Sequence, residues 1–164
     1  MNWLDKSKGT VTMNTVTIDE NEVIHRGVRE FLASSSFDVV AHCHCLQDFE
    51  QLMANGVKTD LILTEVNVGS NSLRQVIETV RKQNGDAKLI VFSEFDIPLL
   101  VQEAKELGAD GFIPKSVSSS EFADKLQDLQ RNGNIWSSTK ETPKQSTLPE
   151  LASDINSQKT VATI

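Results

Sequence analysis

No stretch of the sequence stays apolar for the roughly 20 residues that a bilayer-spanning helix requires, which removes that kind of membrane protein from consideration. The N-terminus "MNWLDKSKGT" carries positive charge with no hydrophobic stretch behind it, and a secretory signal is not expected either. Cysteine is scarce. Cys43 and Cys45 are the only two, spaced two apart on one expected strand, where they do not bond each other, and a disulfide framework is excluded. Base is outnumbered by acid, with 16 Lys and Arg against 23 Asp and Glu, for a net charge of −7. Contacts to a phosphate backbone need clustered cations, so direct nucleic-acid binding is disfavoured. A cytoplasmic location is the expectation.

What is present is a globular composition, 38% hydrophobic and 24% charged, in 164 residues. That length holds one domain with a substantial core and not two full ones. Between Asn14 and Asn132, strand-like apolar runs alternate with helical patterns. "TVTI" (15–18) reads as a strand. Glu22 to Ala33 follows as a helix, with Val23, Ile24, Val28, Phe31 and Leu32 at helical spacing. "FDVVAHC" is a second strand, and Asp48 to Asn55 a short helix ended by Asn55-Gly56. "DLILT" is the third strand, with a helix over 72–83 that places Leu73, Val76, Ile77 and Val80 on one face. "KLIVFS" is the fourth, followed by a helix from Leu99 to Leu107 that Asp96 starts, with Pro98 in its first turn and Gly108 closing it. "GFIP" is the fifth strand. The last helix, Ser118 to Arg131, opens with a capping-box pattern of Ser118 and Glu121.

Five strands alternating with five helices predict an α/β domain with a doubly wound, five-stranded parallel sheet covered on both faces. The domain is expected over 14–135, preceded by an extension (1–13). A linker or tail follows (136–164), where the composition turns to Ser, Thr, Lys and Gln. A short helix near Leu148 to Asn156 is expected within that tail.

"AHCHC" (41–45) offers two His and two Cys, all good zinc ligands. On a strand, however, His42 and His44 point one way while Cys43 and Cys45 point the other. Four ligands cannot converge from that arrangement. The expectation is structural: Cys43 packs as a small apolar residue, and the two histidines lie near the surface.

Parallel sheets of this kind place their sites at the carboxyl ends of the strands. That rule selects Asp19 and Glu20 after the first strand, Glu65 after the third, Ser93 after the fourth and Lys115 after the fifth. Carboxylates gathered at one edge repel unless a cation is present. A Mg²⁺ ion, which takes one or two carboxylates plus waters and phosphate oxygens, would relieve that repulsion. With Lys115 to pair with an anion and Ser93 to donate a hydrogen bond, the set suits phosphoryl transfer onto a carboxylate.

On these residues the sequence resembles a known family. "TIDENEVIHRGVREFL", "DLILTEVNV", "KLIVFS" and "AKELGADGFIPKSVSSSEF" are similar to segments of the receiver domain of two-component response regulators, of the type preceding LuxR-type helix-turn-helix domains. The resemblance runs over residues 14 to 133 and implies a flavodoxin/CheY-like fold. It implies that Asp19 and Glu20 are the acidic pair for Mg²⁺, joined by Glu65 and Asn67. Ser93 and Lys115 would contact a phosphoryl group, and Phe112 would be the aromatic switch.

Glu65 stands at the phosphoacceptor position, where the family has aspartate. Its carboxylate lies one C–C bond further out, roughly 1.5 Å. A misplacement of about 1 Å can cost on the order of 100-fold in rate. Two further departures accompany it. The loop "VNVGSNS" lacks the usual Met-Pro-Gly pattern and is a residue shorter, and Pro114 precedes Lys115 where an aliphatic residue is usual.

The resemblance and its departures imply a pseudo-receiver. Such a module is not an enzyme and requires no cofactor. It acts in signalling or transcription regulation by binding another regulator, a sensor kinase or a second copy of itself. Its binding face would be the fourth helix with the fifth strand and helix, or the first and fifth helices. Two alternatives stand beside this reading. One is a phosphorylation-competent, single-domain regulator in a two-component phosphorelay. The other is a truncated transcription factor acting on DNA through a partner, suggested by "LASDINSQKTVATI", which is similar to the end of a LuxR-type recognition helix. Only 28 residues follow Trp136, against about 60 for the output domain.

Overall fold

Alternation of side chains along a strand sends successive residues to opposite faces, so continuous apolar strands require cover on both. The computed structural model describes residues 11–136 and shows that arrangement. The elements are β1 (Met13–Ile18), α1 (Glu22–Leu32), β2 (Phe37–Cys43), α2 (Leu46–Ala54), β3 (Leu61–Thr64), α3 (Leu73–Gln83), β4 (Lys88–Ser93), α4 (Pro98–Glu106), β5 (Gly111–Pro114) and α5 (Ser119–Asn132). The five strands form one parallel sheet in the order β2-β1-β3-β4-β5. Every strand and helix expected between Asn14 and Asn132 is found. The extension over 1–13 and the tail over 136–164, with its expected short helix, lie outside the described residues except for Val11–Met13 and Trp136.

Two core clusters flank the sheet. Ile18, Ile62, Leu89 and Val91 pack with Phe49, Val76, Ile77 and Val80 under α2, α3 and α4. Leu61, Leu63, Ile90 and Phe92 pack with Val28, Leu32, Phe122 and Leu126 under α1 and α5. Neighbouring strand residues thus divide between the faces, as the period of two demands.

The register aligns Ile18 with Thr64, Thr64 with Val91, and Ser93 with Pro114. From β1 the chain winds outward to β2, and from β3 it winds the other way to β4. The crevice between the carboxyl ends of β1 and β3 is therefore the topological switch point, where ligands bind in sheets of this class.

Several expectations need correction. The buried stripe of α1 is His25, Val28 and Leu32, while Val23 is 70% exposed and Phe31 is partly exposed. The stripe turns that way because His25, spaced three and seven residues from Val28 and Leu32, finds hydrogen-bond partners beneath the helix. Asp96 does not start α4. Its N-cap is Ile97, without a side-chain cap bond, and Pro98 follows with no N–H to satisfy. Helix α2 begins two residues early, at Leu46, with Cys45 as the N-cap. The Ser118–Glu121 capping box is present as expected, and Ser72 with Gln75 forms a second one.

After α5 the chain turns through Gly133 in the left-handed region (φ 77°) and lays Ile135 against β5. Gly111 is needed there, because a Cβ would collide with Ile135 Cγ1 and Cδ1. Trp136 is fixed by its indole N–H donating to Ala109 O at 3.1 Å.

Candidate functional site at the carboxyl edge of the sheet

The ladders carry each candidate one step past its strand. Asp19 N donates to Cys43 O (3.0 Å), Glu65 N to Ile18 O (3.1 Å) and Lys115 N to Ser93 O (2.8 Å). These backbone bonds set the three side chains side by side at the switch point.

Lys115 Nζ donates to Asp19 Oδ2 at 2.7 Å and to Glu65 Oε2 at 2.6 Å. The three side chains are only 9%, 9% and 15% exposed, respectively. Their remaining carboxylate oxygens are also engaged. Asp19 Oδ1 accepts from Asn21 N at 2.8 Å, and Glu65 Oε1 accepts from Val66 N at 2.7 Å. The longer side chain of Glu65 thus folds back on its own loop with one oxygen while reaching the lysine with the other. Burial disfavours the charged form of Lys115, but hydrogen bonds and attraction from Asp19 and Glu65 outweigh it, and its pKa lies above the ordinary lysine value.

The other candidates sit differently. Ser93 is fully buried, and its hydroxyl accepts from Phe95 N at 3.1 Å. Phe112 is buried among the side chains under α2, α3 and α4. Glu20 and Asn67 are exposed, and neither side chain makes a hydrogen bond or ion pair among the described residues. The loop after Glu65 buries Val66 and Val68 and turns through Gly69 (φ 60°), with Val68 paired to Asn71. Structure therefore brings together Asp19, Glu65 and Lys115 and leaves Glu20 and Asn67 outside.

Those four expected ligands are a poor fit for Mg²⁺. The ion demands a near-ideal octahedron at about 2.0–2.1 Å and keeps several waters. Among the described residues no three His, Cys, Asp or Glu side chains are placed to hold a metal.

A buried polar relay supports Asp19 from below, and the sequence reading missed it. His25 Nε2 lies 2.7 Å from Asp19 O, which can only accept, so that nitrogen carries the hydrogen. Nδ1 of the neutral ring then accepts from the Thr17 hydroxyl at 2.6 Å. Thr17 Oγ1 in turn accepts from His42 Nδ1 at 2.7 Å. Burial lowers the pKa of both His25 and His42, which keeps the rings neutral. The signal was available: His25 interrupts the apolar stripe of α1 at core spacing. His42 is accordingly half-buried and bonded, whereas His44 is at the surface, paired with Glu22 at 2.9 Å. Cys43 is buried as expected, with its thiol pushed up to about 12 by desolvation.

The chain matches the family model for the response regulator receiver domain over residues 16–127. Among curated relatives, Response regulator protein VraR of Staphylococcus saprophyticus is 24% identical over 120 residues, 73% of this chain and 57% of that protein. The chain thus spans little more than half of that relative's length. Among solved structures, the signal receiver domain of the response regulator NarL from Mycobacterium tuberculosis is 23% identical with a TM-score of 0.64. That match covers 74% of this chain and 98% of that one. The isolated receiver domain of RcsB from Salmonella enterica serovar Typhimurium, in the presence of phosphomimetic BeF3−, is 15% identical with a TM-score of 0.67. It covers 74% and 90% of the two chains. At these identities the structural likeness bears on the fold, which is that of a receiver.

Proposed function

The chain belongs to the response regulator receiver domain family, a signalling module of two-component systems, and on that premise we propose that it is a pseudo-receiver. It works through protein–protein contacts in signalling or transcription regulation, and its state is not set by aspartyl phosphate. The observation that carries this reading is the 2.6 Å bond between Glu65 and Lys115. The residue at the acceptor position already holds the lysine that would otherwise contact a phosphoryl group.

The partner is another regulator, a sensor kinase or a second copy of the chain, met in the cytoplasm. Phe95, Ile97 and Leu99 are exposed where β4 runs into α4, directly after Ser93, and they support a protein contact on that side. The net charge of −7 supports indirect rather than direct action on DNA. Among the described residues no helix is long and apolar enough to cross a membrane.

The test is intact-mass measurement after incubating the full chain with acetyl phosphate and Mg²⁺. No added phosphoryl mass is expected for the wild type, while Glu65→Asp gains one. A stoichiometric, base-labile adduct on Glu65 would overturn the reading in favour of the phosphorylation-competent alternative.

A further inference from the structure

The poor fit to Mg²⁺ has a positive counterpart. We infer that the Lys115 ammonium is the resident cation of this site, standing where a receiver would hold a divalent metal, and that Mg²⁺ binds only when the lysine is removed. This deepens the pseudo-receiver reading and rests on it.

One nitrogen lies 2.7 Å from Asp19 Oδ2 and 2.6 Å from Glu65 Oε2, between the two carboxylates that a metal would have to share. Each carboxylate spends its other oxygen on a local backbone N–H, from Asn21 and Val66. A metal at bonding distance from either free lone pair would sit beside the ammonium, and two cations so close in a largely buried site repel strongly. Glu20 and Asn67, the remaining family-implied ligands, are exposed and make no hydrogen bond or ion pair with Asp19, Glu65 or Lys115 among the described residues. Within the trio of Asp19, Glu65 and Lys115, the ammonium offsets one of the two carboxylate charges that a dication would need.

The experiment titrates the full chain with MgCl2 by calorimetry, and with MnCl2 while following paramagnetic broadening of the Asp19 and Lys115 amide signals. The wild type is expected to show no saturable binding. Lys115→Met, which leaves two facing carboxylates with no cation, is expected to gain affinity by at least about tenfold. Lys115→Gln and Lys115→Ala run beside it, so that the question reaches a variant whose circular dichroism matches the wild type. Lys115→Arg, which keeps the charge, is expected to stay silent. Saturable wild-type binding with broadening at Asp19 overturns the inference, as does a folded, neutral variant that fails to gain binding. The wild-type arm needs no substitution and decides the matter even if every variant unfolds. A chain that binds Mg²⁺ yet takes no phosphoryl group removes this inference and leaves the pseudo-receiver reading standing. A chain phosphorylated on Glu65 removes the reading itself.

Discussion

The two edges of the sheet each carry a cluster of charge, and the clusters do opposite things with it. At the amino edge, Arg81 donates to Ala87 O (2.7 Å), to Gly108 O (2.7 Å) and to Asp110 Oδ2 (3.0 Å). Asp110 Oδ2 in turn accepts from Leu89 N at 2.8 Å. Most of that charge satisfies backbone groups that would otherwise stand unpaired where strands begin. At the carboxyl edge, the Lys115 ammonium hydrogen-bonds only carboxylates among the described residues, and those carboxylates come from the ends of two other strands. Folding accounts for the first cluster. The second makes no bond from its cation that the backbone needs, and it occupies the switch point of the sheet.

The comparison breaks most readily at Lys115. In metal-free buffer Lys115→Met leaves two nearly buried carboxylates without a counter-charge and is expected to lower stability by about 3 kcal/mol in urea unfolding. Added Mg²⁺ should restore part of that loss. Gly111→Ala, at the amino edge, forces Ile135 out of its seat and is expected to cost about 2 kcal/mol by thermal melting, with no response to Mg²⁺. Arg81→Met removes four hydrogen bonds, one of them the long contact to Gly85 O, on a quarter-exposed side chain and is expected to cost about 1.5 kcal/mol, likewise indifferent to metal. Recovery by Mg²⁺ at Arg81, or its failure at Lys115, would erase the distinction between the edges.

The relay beneath Asp19 adds a pH dependence. His25 and His42 have folded pKa values depressed by burial, so the unfolded chain takes up protons first as pH falls. Their contribution is complete above the unfolded value, about 6.5, and is lost as pH drops through the lower folded values. Urea midpoints at descending pH should show this decline, and replacing His42 with Gln should flatten it. The smallest effect is chemical. A thiol reagent should label Cys45 in the native protein and spare Cys43, which is buried and has its thiol pushed up to about 12.

The element order could be read from the sequence because each strand is a short apolar run and each helix repeats with its own period. Errors collect where the deciding signal is tertiary. Val23 and Phe31 have the right spacing for a helical face, but the face that turns inward is chosen by His25 and its bonds to Thr17 and Asp19. Leu46 begins α2 behind a cysteine, which is no recognised cap. Asp19, Glu65 and Lys115 were legible as neighbours from one rule about strand ends. The exposure of Glu20 and Asn67 was not legible, because it depends on how the loops after β1 and β3 turn, and in the second of these Val66 and Val68 are drawn inward.

The central claim is that the Glu65–Lys115–Asp19 set holds this receiver in one state that phosphorylation does not change. The most direct measurement is the amide NMR spectrum of the full chain before and after addition of Mg²⁺ and beryllofluoride, the phosphomimetic present with the RcsB receiver. The account predicts unchanged signals for Ser93, Phe112 and Lys115. Saturable shifts at those three residues would contradict it.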